Sequence, residues 1–253
     1  MSPRLAGRVC VVTGAARGIG LAIAERCGRE GARLACLDIR AKRIEPAVEE
    51  LVALGYEARA YAADVSDRRA VVQTFEAIER DFAAPVAGLV NNAVWAHFTP
   101  LAEVDEEMSR RMFAVGVEAL IWTTQTVAPQ MERNGGGAIV NLTSVSAFHP
   151  AKDSVVYSAV KAAVVGLTRA TAMELSAKKI RVNAIAPGMI RTPASLAQFD
   201  KQTIALRQAQ MPLGRFGAPE EIAALAAFLI SDEASYIHGA VVTADGGWTV
   251  PAK

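Results

Sequence analysis

The chain has 253 residues, of which 52% are hydrophobic and 21% charged, and its formal net charge is +1. This composition is typical of a globular protein, and Lys and Arg are scattered among Asp and Glu without the basic stripe of a nucleic-acid-binding protein. No run of ~18 apolar residues is present and Met1–Arg8 is too polar to open a signal peptide, so we expect no nucleic-acid partner, no membrane span and a cytoplasmic location.

Short apolar runs alternate with longer amphipathic segments along the whole chain. The runs that predict strands are Val9–Thr13, Arg33–Asp38, Ala58–Ala62, Gly88–Asn91, Ala138–Thr143, Arg181–Ala184 and Ala240–Thr243. The segments that predict helices are Ile19–Arg29, Ile44–Leu54, Arg68–Phe82, Met108–Arg133, Val155–Ser176 and Glu220–Ile230. Strands that are apolar on both faces and separated by helices need a parallel sheet covered on both sides. We therefore predict a doubly wound α/β fold with a seven-stranded parallel sheet, and the absence of a linker favours one domain over residues 1–253.

The first predicted strand leads directly into a glycine-rich turn, Thr13–Gly20. Gly14, Gly18 and Gly20 allow a tight turn and a close approach of the backbone to a pyrophosphate, because they have no Cβ. The N–H groups of Arg17, Ile19 and their neighbours at the start of the helix would then face the anion. A strand, this turn and a helix in sequence predict a dinucleotide-binding site.

Asp38 ends the second predicted strand. A carboxylate at this point accepts hydrogen bonds from the adenosine ribose hydroxyls and repels a 2′-phosphate, so it favours NAD over NADP. Arg17 and Arg40 argue for the opposite preference, because either could bind a phosphate. A third interpretation is that Asp38 caps the segment that follows it.

The three cysteines, Cys10, Cys27 and Cys36, have spacings unlike those of a metal site. We expect no metal and interpret the thiols as small buried apolar groups in a reducing compartment.

The segment Met189–Ala218 interrupts the alternation between the sixth and seventh predicted strands. It contains a helical fragment, Gln202–Ala209, between Pro193 and Pro212. Connections of this length often form lids over substrate sites, although a surface excursion without a role is the simpler alternative.

Further motifs follow in an order that is typical of one enzyme family. They are Asp64-Val65, Asn91-Asn92-Ala93, Ser144 with Tyr157 and Lys161, Pro187-Gly188-Met189-Ile190-Arg191-Thr192, and Asp245-Gly246-Gly247. With the glycine turn, they resemble the short-chain dehydrogenase/reductase family over Leu5 to Thr249, which implies a single-domain Rossmann fold. The resemblance also implies that Asp64 and Val65 lie at the adenine, and that Asn91, Ala93, Pro187, Gly188, Ile190 and Thr192 belong to the cofactor site. Thr192 would bind the carboxamide, or cap a helix before Pro193, or do both.

Tyr157 and Lys161 are four residues apart on a predicted helix and therefore share a face. A phenol with a pKa near ~10 is a poor base at neutral pH. The Lys161 ammonium and the positive nicotinamide ring would lower that pKa, so that Tyr157 can exchange a proton with the substrate oxygen. The resemblance implies that Lys161 also binds the nicotinamide ribose and that Ser144 holds the substrate oxygen.

The sequence departs from the family at Gly116, where an asparagine usually holds a water of a proton relay. Glycine in a helix costs about 0.5–1 kcal/mol relative to alanine. It could make room for an additional water, leave proton transfer slow, or allow a close neighbour to pack.

A second departure is Val94, where a glycine usually follows Asn-Asn-Ala. We expect the β-branched side chain to disfavour a positive φ and to narrow the space beside the nicotinamide. The predicted substrate pocket includes Val94, Trp95, His97, Phe98, Ser146, Phe148 and His149.

These observations predict an NAD-dependent oxidoreductase that interconverts a secondary alcohol and a ketone, with a polyol, sugar or cyclic alcohol as the small-molecule substrate. The alternatives are an NADPH-dependent ketone or 3-oxoacyl reductase, and a cofactor-binding protein with impaired catalysis. The resemblance further implies a homotetramer, or a dimer, that packs through Met108–Arg133 and Val155–Ser176.

Overall fold

A computed structural model of the protein describes residues 3–197 and 200–250. The parts of our predictions that fall on residues 1–2, 198–199 and 251–253, including two positions of the expected lid, lie outside the described residues. The strands are β1 (Val9–Thr13), β2 (Arg33–Asp38), β3 (Ala58–Ala62), β4 (Val86–Asn91), β5 (Gly137–Leu142), β6 (Ile180–Pro187) and β7 (Val241–Ala244). They form one parallel sheet in the order β3-β2-β1-β4-β5-β6-β7.

The helices connect the strands and cover both faces of the sheet. They are α1 (Gly18–Arg29), α2 (Ala41–Ala53), α3 (Arg68–Phe82), α4 (Glu106–Phe113), α5 (Ala119–Arg133), α6 (Val155–Leu175), α7 (Pro193–Leu196), α8 (Lys201–Ala209) and α9 (Pro219–Ile230). The predicted seven-stranded, doubly wound Rossmann fold is confirmed.

Two hydrophobic cores lie on opposite faces of the sheet. On one face, Ile23 of α1 and Ala226 of α9 pack against β-strand residues such as Val12. On the other face, Phe75 of α3 and Val127 of α5 form a separate cluster. Because every central strand is buried on both sides, its sequence is apolar throughout and does not alternate.

Several predicted elements begin or end one to three residues from their observed bounds, and one predicted helix is divided. The predicted helix Met108–Arg133 is α4 and α5 joined by a π-helical segment, Ala114–Glu118, which lies around Gly116. Strand β6 extends beyond the predicted Ala184 because Ile185 and Ala186 pair with β7. Pro187 can end this strand because a terminal strand position does not require its missing N–H.

The strand order reverses between β1 and β4, which are adjacent at the centre of the sheet. Ligands of doubly wound sheets bind at the carboxyl ends of the strands near such a reversal. Thr13, Asn91, Leu142 and Pro187 end four central strands at this edge. Over residues 3–197 and 200–250, no helix is both long and apolar enough to cross a membrane.

Candidate active site

The glycine turn after β1 has the conformation that its sequence predicts. Gly14 has φ +65° and Gly18 has φ +58°, which favour glycine. A Cβ on Gly20 would lie 2.2 Å from the carbonyl oxygen of Gly14, so only glycine allows this contact. Helix α1 begins with no side-chain cap and no acidic residue in its first turn. Its first N–H groups therefore suit an anion such as a pyrophosphate.

The end of β4 fixes this turn through Asn92. The Asn92 side-chain amide donates to the carbonyl oxygens of Thr13 at 2.9 Å and Gly14 at 3.1 Å. The N–H groups of Asn92 and Ala93 both donate to the Thr13 hydroxyl at 3.0 Å. Asn92 was not among the predicted cofactor residues, although it lies in the Asn91-Asn92-Ala93 motif.

Asn91 lies in the core. Its amide group donates to Asn141 at 2.9 Å, and its oxygen accepts a hydrogen bond from Thr123 at 2.8 Å. Asn91 is 3% exposed and lines neither of the two cavities described below, so it supports the end of β4 from within the core.

A cleft of about 380 Å³ extends from the glycine turn to the tips of β2 and β3. The cofactor residues predicted from the sequence that line it are Gly14, Arg17, Gly18, Ile19, Gly20, Asp38, Asp64, Val65, Ala93 and Thr192. Asp38 accepts a hydrogen bond from the N–H of Arg40 at 3.2 Å, so it orders the segment after β2 while it lines the cleft. Asp64 accepts hydrogen bonds from the N–H and the hydroxyl of Ser66.

A second cavity of about 250 Å³ brings together Ser144, Tyr157 and Lys161. Ser144 follows β5, whereas Tyr157 and Lys161 lie on the first two turns of α6. The Lys161 ammonium donates to the carbonyl oxygen of Leu142 at 2.8 Å and lies 5.8 Å from the centroid of the Tyr157 ring. Because an ammonium group has three donors, this contact leaves Lys161 able to bind a further acceptor.

The protein alone does not lower the pKa of Tyr157, contrary to the effect that we expected from Lys161. Burial raises the pKa of this phenol above its ordinary value, and a hydrogen bond with Ser144 offsets only part of the increase. Burial also lowers the pKa of the Lys161 ammonium to about 8. Both groups therefore favour their neutral forms more than they would in water.

The segment after β6 connects the two cavities. A Cβ on Gly188 would lie 2.7 Å from Cα of Asp245, so glycine lets this segment pass close to the end of β7. Asp245 fixes the following turn by accepting hydrogen bonds from the N–H groups of Gly247 and Thr249 at 2.9 and 2.8 Å. Thr192 caps α7 through Ser195, which agrees with one of its two expected roles. Pro187, Gly188, Ile190 and Thr192 all line the second cavity.

The residues that we predicted for the substrate pocket separate into three groups. Val94, Phe98 and Ser146 line the second cavity, and the Phe98 ring lies 5.1 Å from the ring of Tyr157. Trp95 instead lines the cofactor cleft, where Arg111 lies 4.7 Å from its ring centroid.

The other residues predicted for this pocket lie outside both cavities. His97 stacks on Trp95 with the ring centroids 6.0 Å apart, and Phe148 and His149 are exposed. Val94 does not have a positive φ, which agrees with the preference that we expected for its β-branched side chain.

Arg207 and Trp248 are among the residues of the second cavity that were not predicted from the sequence. Arg207 lies in the predicted helical fragment of the expected lid, and Trp248 directly follows the Asp245-Gly246-Gly247 motif. Neither has a spacing relative to Tyr157 that would reveal the contact, because separate segments of the chain bring them to the cavity.

Gly116 is buried in the π-helical segment beside α6. A Cβ at this position would lie 2.3 Å from Cγ1 of Val160, the residue that precedes Lys161. Of the three explanations that the sequence leaves open, this contact supports close packing. The three cysteines are free and buried, and the residues that the structure describes contain no cluster of His, Cys, Asp and Glu suited to a metal ion.

Comparison with known proteins agrees with this arrangement. A family model described as enoyl-(acyl carrier protein) reductase matches residues 14–249. The galactitol 2-dehydrogenase of Cereibacter sphaeroides is 40% identical over 98% of this chain and 97% of its own length. The 3-oxoacyl-[acyl-carrier-protein] reductase FabG of Thermotoga maritima is 37% identical over 98% of this chain and its full length.

Among solved structures, a 7α-hydroxysteroid dehydrogenase in complex with NADH and 7-oxo glycochenodeoxycholic acid is similar. It superposes with a TM-score of 0.92 at 34% identity and covers 97% of this chain and 96% of its own. The fold, the glycine turn and these similarities together define an oxidoreductase that uses a nicotinamide cofactor and acts on CH–OH groups. The chain belongs to the short-chain dehydrogenase/reductase family.

Proposed function

We propose that the protein uses NAD to interconvert a secondary alcohol and the corresponding ketone, with a polyol, sugar or cyclic alcohol as substrate. The observation that carries this proposal is the position of Asp38 in the cleft beside the glycine turn. A carboxylate there can bind both ribose hydroxyls and repels the 2′-phosphate of NADP. The named activity of the galactitol dehydrogenase supports a polyol.

The residues of the cleft suit NAD along its whole length. The uncapped start of α1 would hold the pyrophosphate, Asp38 the adenosine ribose, and Asp64 and Val65 the adenine. Lys161 would bind the nicotinamide ribose through its remaining N–H groups, and Thr192 would bind the carboxamide. When bound, the nicotinamide accepts the hydride in oxidation and supplies it in reduction.

The protein's own residues would handle the proton. Tyr157 would accept the proton of the alcohol during oxidation and return it to the ketone oxygen during reduction. Ser144 would donate a hydrogen bond to the substrate oxygen, where negative charge develops. The Lys161 ammonium and the positive ring of a bound nicotinamide would favour the phenolate that oxidation requires.

A reductase that uses NADPH is the alternative, and one observation favours it. Arg17, Arg40 and Arg43 all line the cofactor cleft and could bind a 2′-phosphate. The named activity of the Thermotoga relative would fit such an enzyme. A cofactor-binding protein with impaired catalysis is less well supported, because the packing against Val160 explains Gly116 without a loss of function.

We further propose a homotetramer that acts in the cytoplasm. Helices α5 and α6 expose apolar side chains, including Ile121 at 37% and Met173 at 79%, and Tyr236 near the C-terminus is also fully exposed. Such surfaces suit packing between copies. Sedimentation that gives a stable monomer at working concentration would contradict the tetramer. The three buried thiols support a reducing compartment.

The deciding experiment follows nicotinamide absorbance with NAD and NADP in parallel, using polyols, sugars, cyclic alcohols and the matching ketones. We expect turnover with NAD on one class of substrate and its loss in Tyr157→Phe, which should still bind NADH. A preference for NADP would favour the reductase alternative. NADH binding without any turnover, unchanged by Tyr157→Phe, would support the non-catalytic alternative.

A further inference from the structure

The charged side chains that line the second cavity are of one sign among the described residues. Among the described residues, its charged side chains are Lys161 and Arg207, and no Asp or Glu lines it. The cofactor cleft beside it contains arginines and, unlike the second cavity, also two carboxylates, Asp38 and Asp64. The substrate cavity is therefore positively charged, whereas the cleft has carboxylates to accept hydrogen bonds.

Lys161 and Arg207 occupy different positions in this cavity. Lys161 is 5% exposed and donates to Leu142 beside Tyr157, where the reaction takes place. Arg207 comes from α8 in the lid and is half-buried. It shares the cavity with apolar side chains such as Phe98, Met189 and Trp248. Arg207 lines this mainly apolar cavity, and a guanidinium group is a planar set of N–H donors that matches a carboxylate or a phosphate.

We propose that Arg207 binds an anionic group of the substrate, so that the substrate is a secondary alcohol or ketone that also carries a carboxylate or a phosphate. This inference rests on the proposed function and names its substrate class. Ser144 and Tyr157 hold the reacting oxygen at one end, and Arg207 orients the molecule through its charge. No Asp or Glu is among the described residues that line the cavity, so an anionic group would meet no like charge there.

A role of Arg207 in holding the lid in place is the competing explanation, and the two make different predictions. A structural arginine would affect anionic and neutral substrates equally when it is replaced. An arginine that binds the substrate would affect mainly the KM of anionic substrates, because the interaction with their charge is lost.

The experiment compares three compounds with one carbon skeleton: glucitol, gluconate and glucitol 6-phosphate. A shorter pair, 1,3-butanediol and 3-hydroxybutyrate, is measured beside them. We expect kcat/KM of the wild type to be at least tenfold higher for one anionic compound than for its neutral partner. Arg207→Gln should lower this value about tenfold or more through KM, with less than twofold change for neutral compounds and for NAD. Arg207→Lys should restore part of the loss, since it keeps the charge without the planar donors.

Lys201→Gln is the matched control, because it removes one positive charge from the same helix at an exposed position outside both cavities. It should change none of these values. Equal or better use of the neutral compounds by the wild type would overturn the inference, as would an equal effect of Arg207→Gln on all substrates.

The absence of turnover with every compound and both cofactors would count against the proposed function instead. Calorimetric titration of the enzyme–NADH complex with the same compounds then tests Arg207 separately. Binding of an anionic compound that Arg207→Gln weakens at least tenfold would support the inference. Binding that is absent, or equal in the variant, would overturn it.

Discussion

A methyl group on Gly116 would lie 2.3 Å from Cγ1 of Val160, well inside van der Waals contact. Gly116 belongs to the π-helical segment between α4 and α5, and Val160 directly precedes Lys161 on α6. The absence of a side chain at residue 116 therefore sets how closely this segment approaches the helix that carries the proposed catalytic residues. Val160 is stiff, because a β-branched residue in a helix has one strongly preferred rotamer.

This contact predicts that Gly116→Ala lowers the free energy of unfolding by about 1–3 kcal/mol, since the added methyl group overpacks the helix interface. Val160→Ala should remove the clash, so that the double variant is more stable than the sum of the single effects predicts. Urea denaturation of the four proteins measures this coupling. If Gly116→Ala is as stable as the wild type and its effect is additive with that of Val160→Ala, the backbone adjusts to the added methyl group at little cost.

The phenol of Tyr157 predicts opposite pH dependences for the two directions of the reaction. Because burial raises its pKa, the phenolate that accepts a proton forms only as the pH becomes alkaline. We expect kcat/KM for alcohol oxidation to increase with pH and kcat/KM for ketone reduction to decrease. Initial rates from pH 6 to pH 10 check this, with Tyr157→Phe as the inactive reference. A flat profile in both directions would indicate that a step other than proton transfer limits the rate.

The buried ammonium group of Lys161 should lower the stability of the protein, although the proposed activity requires it. Its pKa of about 8 in the folded protein lies below the ordinary 10.5, so folding disfavours the ammonium. The unfolded chain binds more protons between these two values, and stability should increase as the pH rises from about 8 toward 10.5.

Replacing this lysine with methionine should therefore raise the free energy of unfolding at pH 7 by about 1–2 kcal/mol. This gain is smaller than the pKa shift alone implies, because Leu142 loses a hydrogen bond. The difference from the wild type should diminish above pH 8, and activity should be lost. Thermal unfolding of both proteins across this pH range measures the effect. A stability gain of Lys161→Met over the wild type that is smaller at pH 7 than at pH 10 would contradict the prediction.

Asp38 predicts the preference for the cofactor. Asp38→Ala removes the charge that repels a 2′-phosphate and leaves Arg17, Arg40 and Arg43 in the cleft. The ratio of kcat/KM for NAD to that for NADP should fall at least about tenfold, because a charge-assisted contact is lost for one cofactor and a repulsion for the other. Glu45→Ala is the control, since this exposed carboxylate lies outside the cleft. An unchanged ratio in Asp38→Ala would mean that Asp38 only orders Arg40.

The ion pairs of Glu30 should make the stability of the protein depend on pH in the acid range. Its carboxylate accepts hydrogen bonds from Arg4 at 2.6 Å and from Arg26 at 2.5 Å, and Arg4 also bonds Glu233. Burial raises the pKa of Glu30, but the two arginines outweigh it, so that the pKa lies below its usual value. The stabilisation is present above the unfolded pKa of ~4.5 and is lost as the pH falls through the folded value.

Glu30→Gln should therefore lower the free energy of unfolding by about 2 kcal/mol at pH 7 and by much less at pH 3. Urea denaturation at the two pH values checks the difference. Equal destabilisation at both would attribute the effect to packing and not to charge.

Much of this protein follows from local sequence alone. Apolar runs bounded by turn residues predicted β1, β2 and β3 with the correct bounds. Buried parallel strands such as β1 and β2 must be apolar on both faces. The glycine turn and Asp38 were recognisable because a tight turn requires Gly14 and Gly18 and because both lie next to strand ends. Tyr157 and Lys161 were paired correctly because helical spacing alone puts them on one face.

Only the tertiary structure shows which side chains lie together, because residue spacing along the chain does not specify contacts between distant segments. Asn91 and Asn92 are adjacent in the chain, yet the first points into the core and the second holds the glycine turn. His149 is exposed, whereas Arg207 reaches the cavity from a distant helix. The close contact of Gly116 with Val160 joins two helices that only the packing of the fold brings together. Local rules specify strands, helices and turns, but the side chains that share a cavity depend on how separate segments pack at the edge of the sheet.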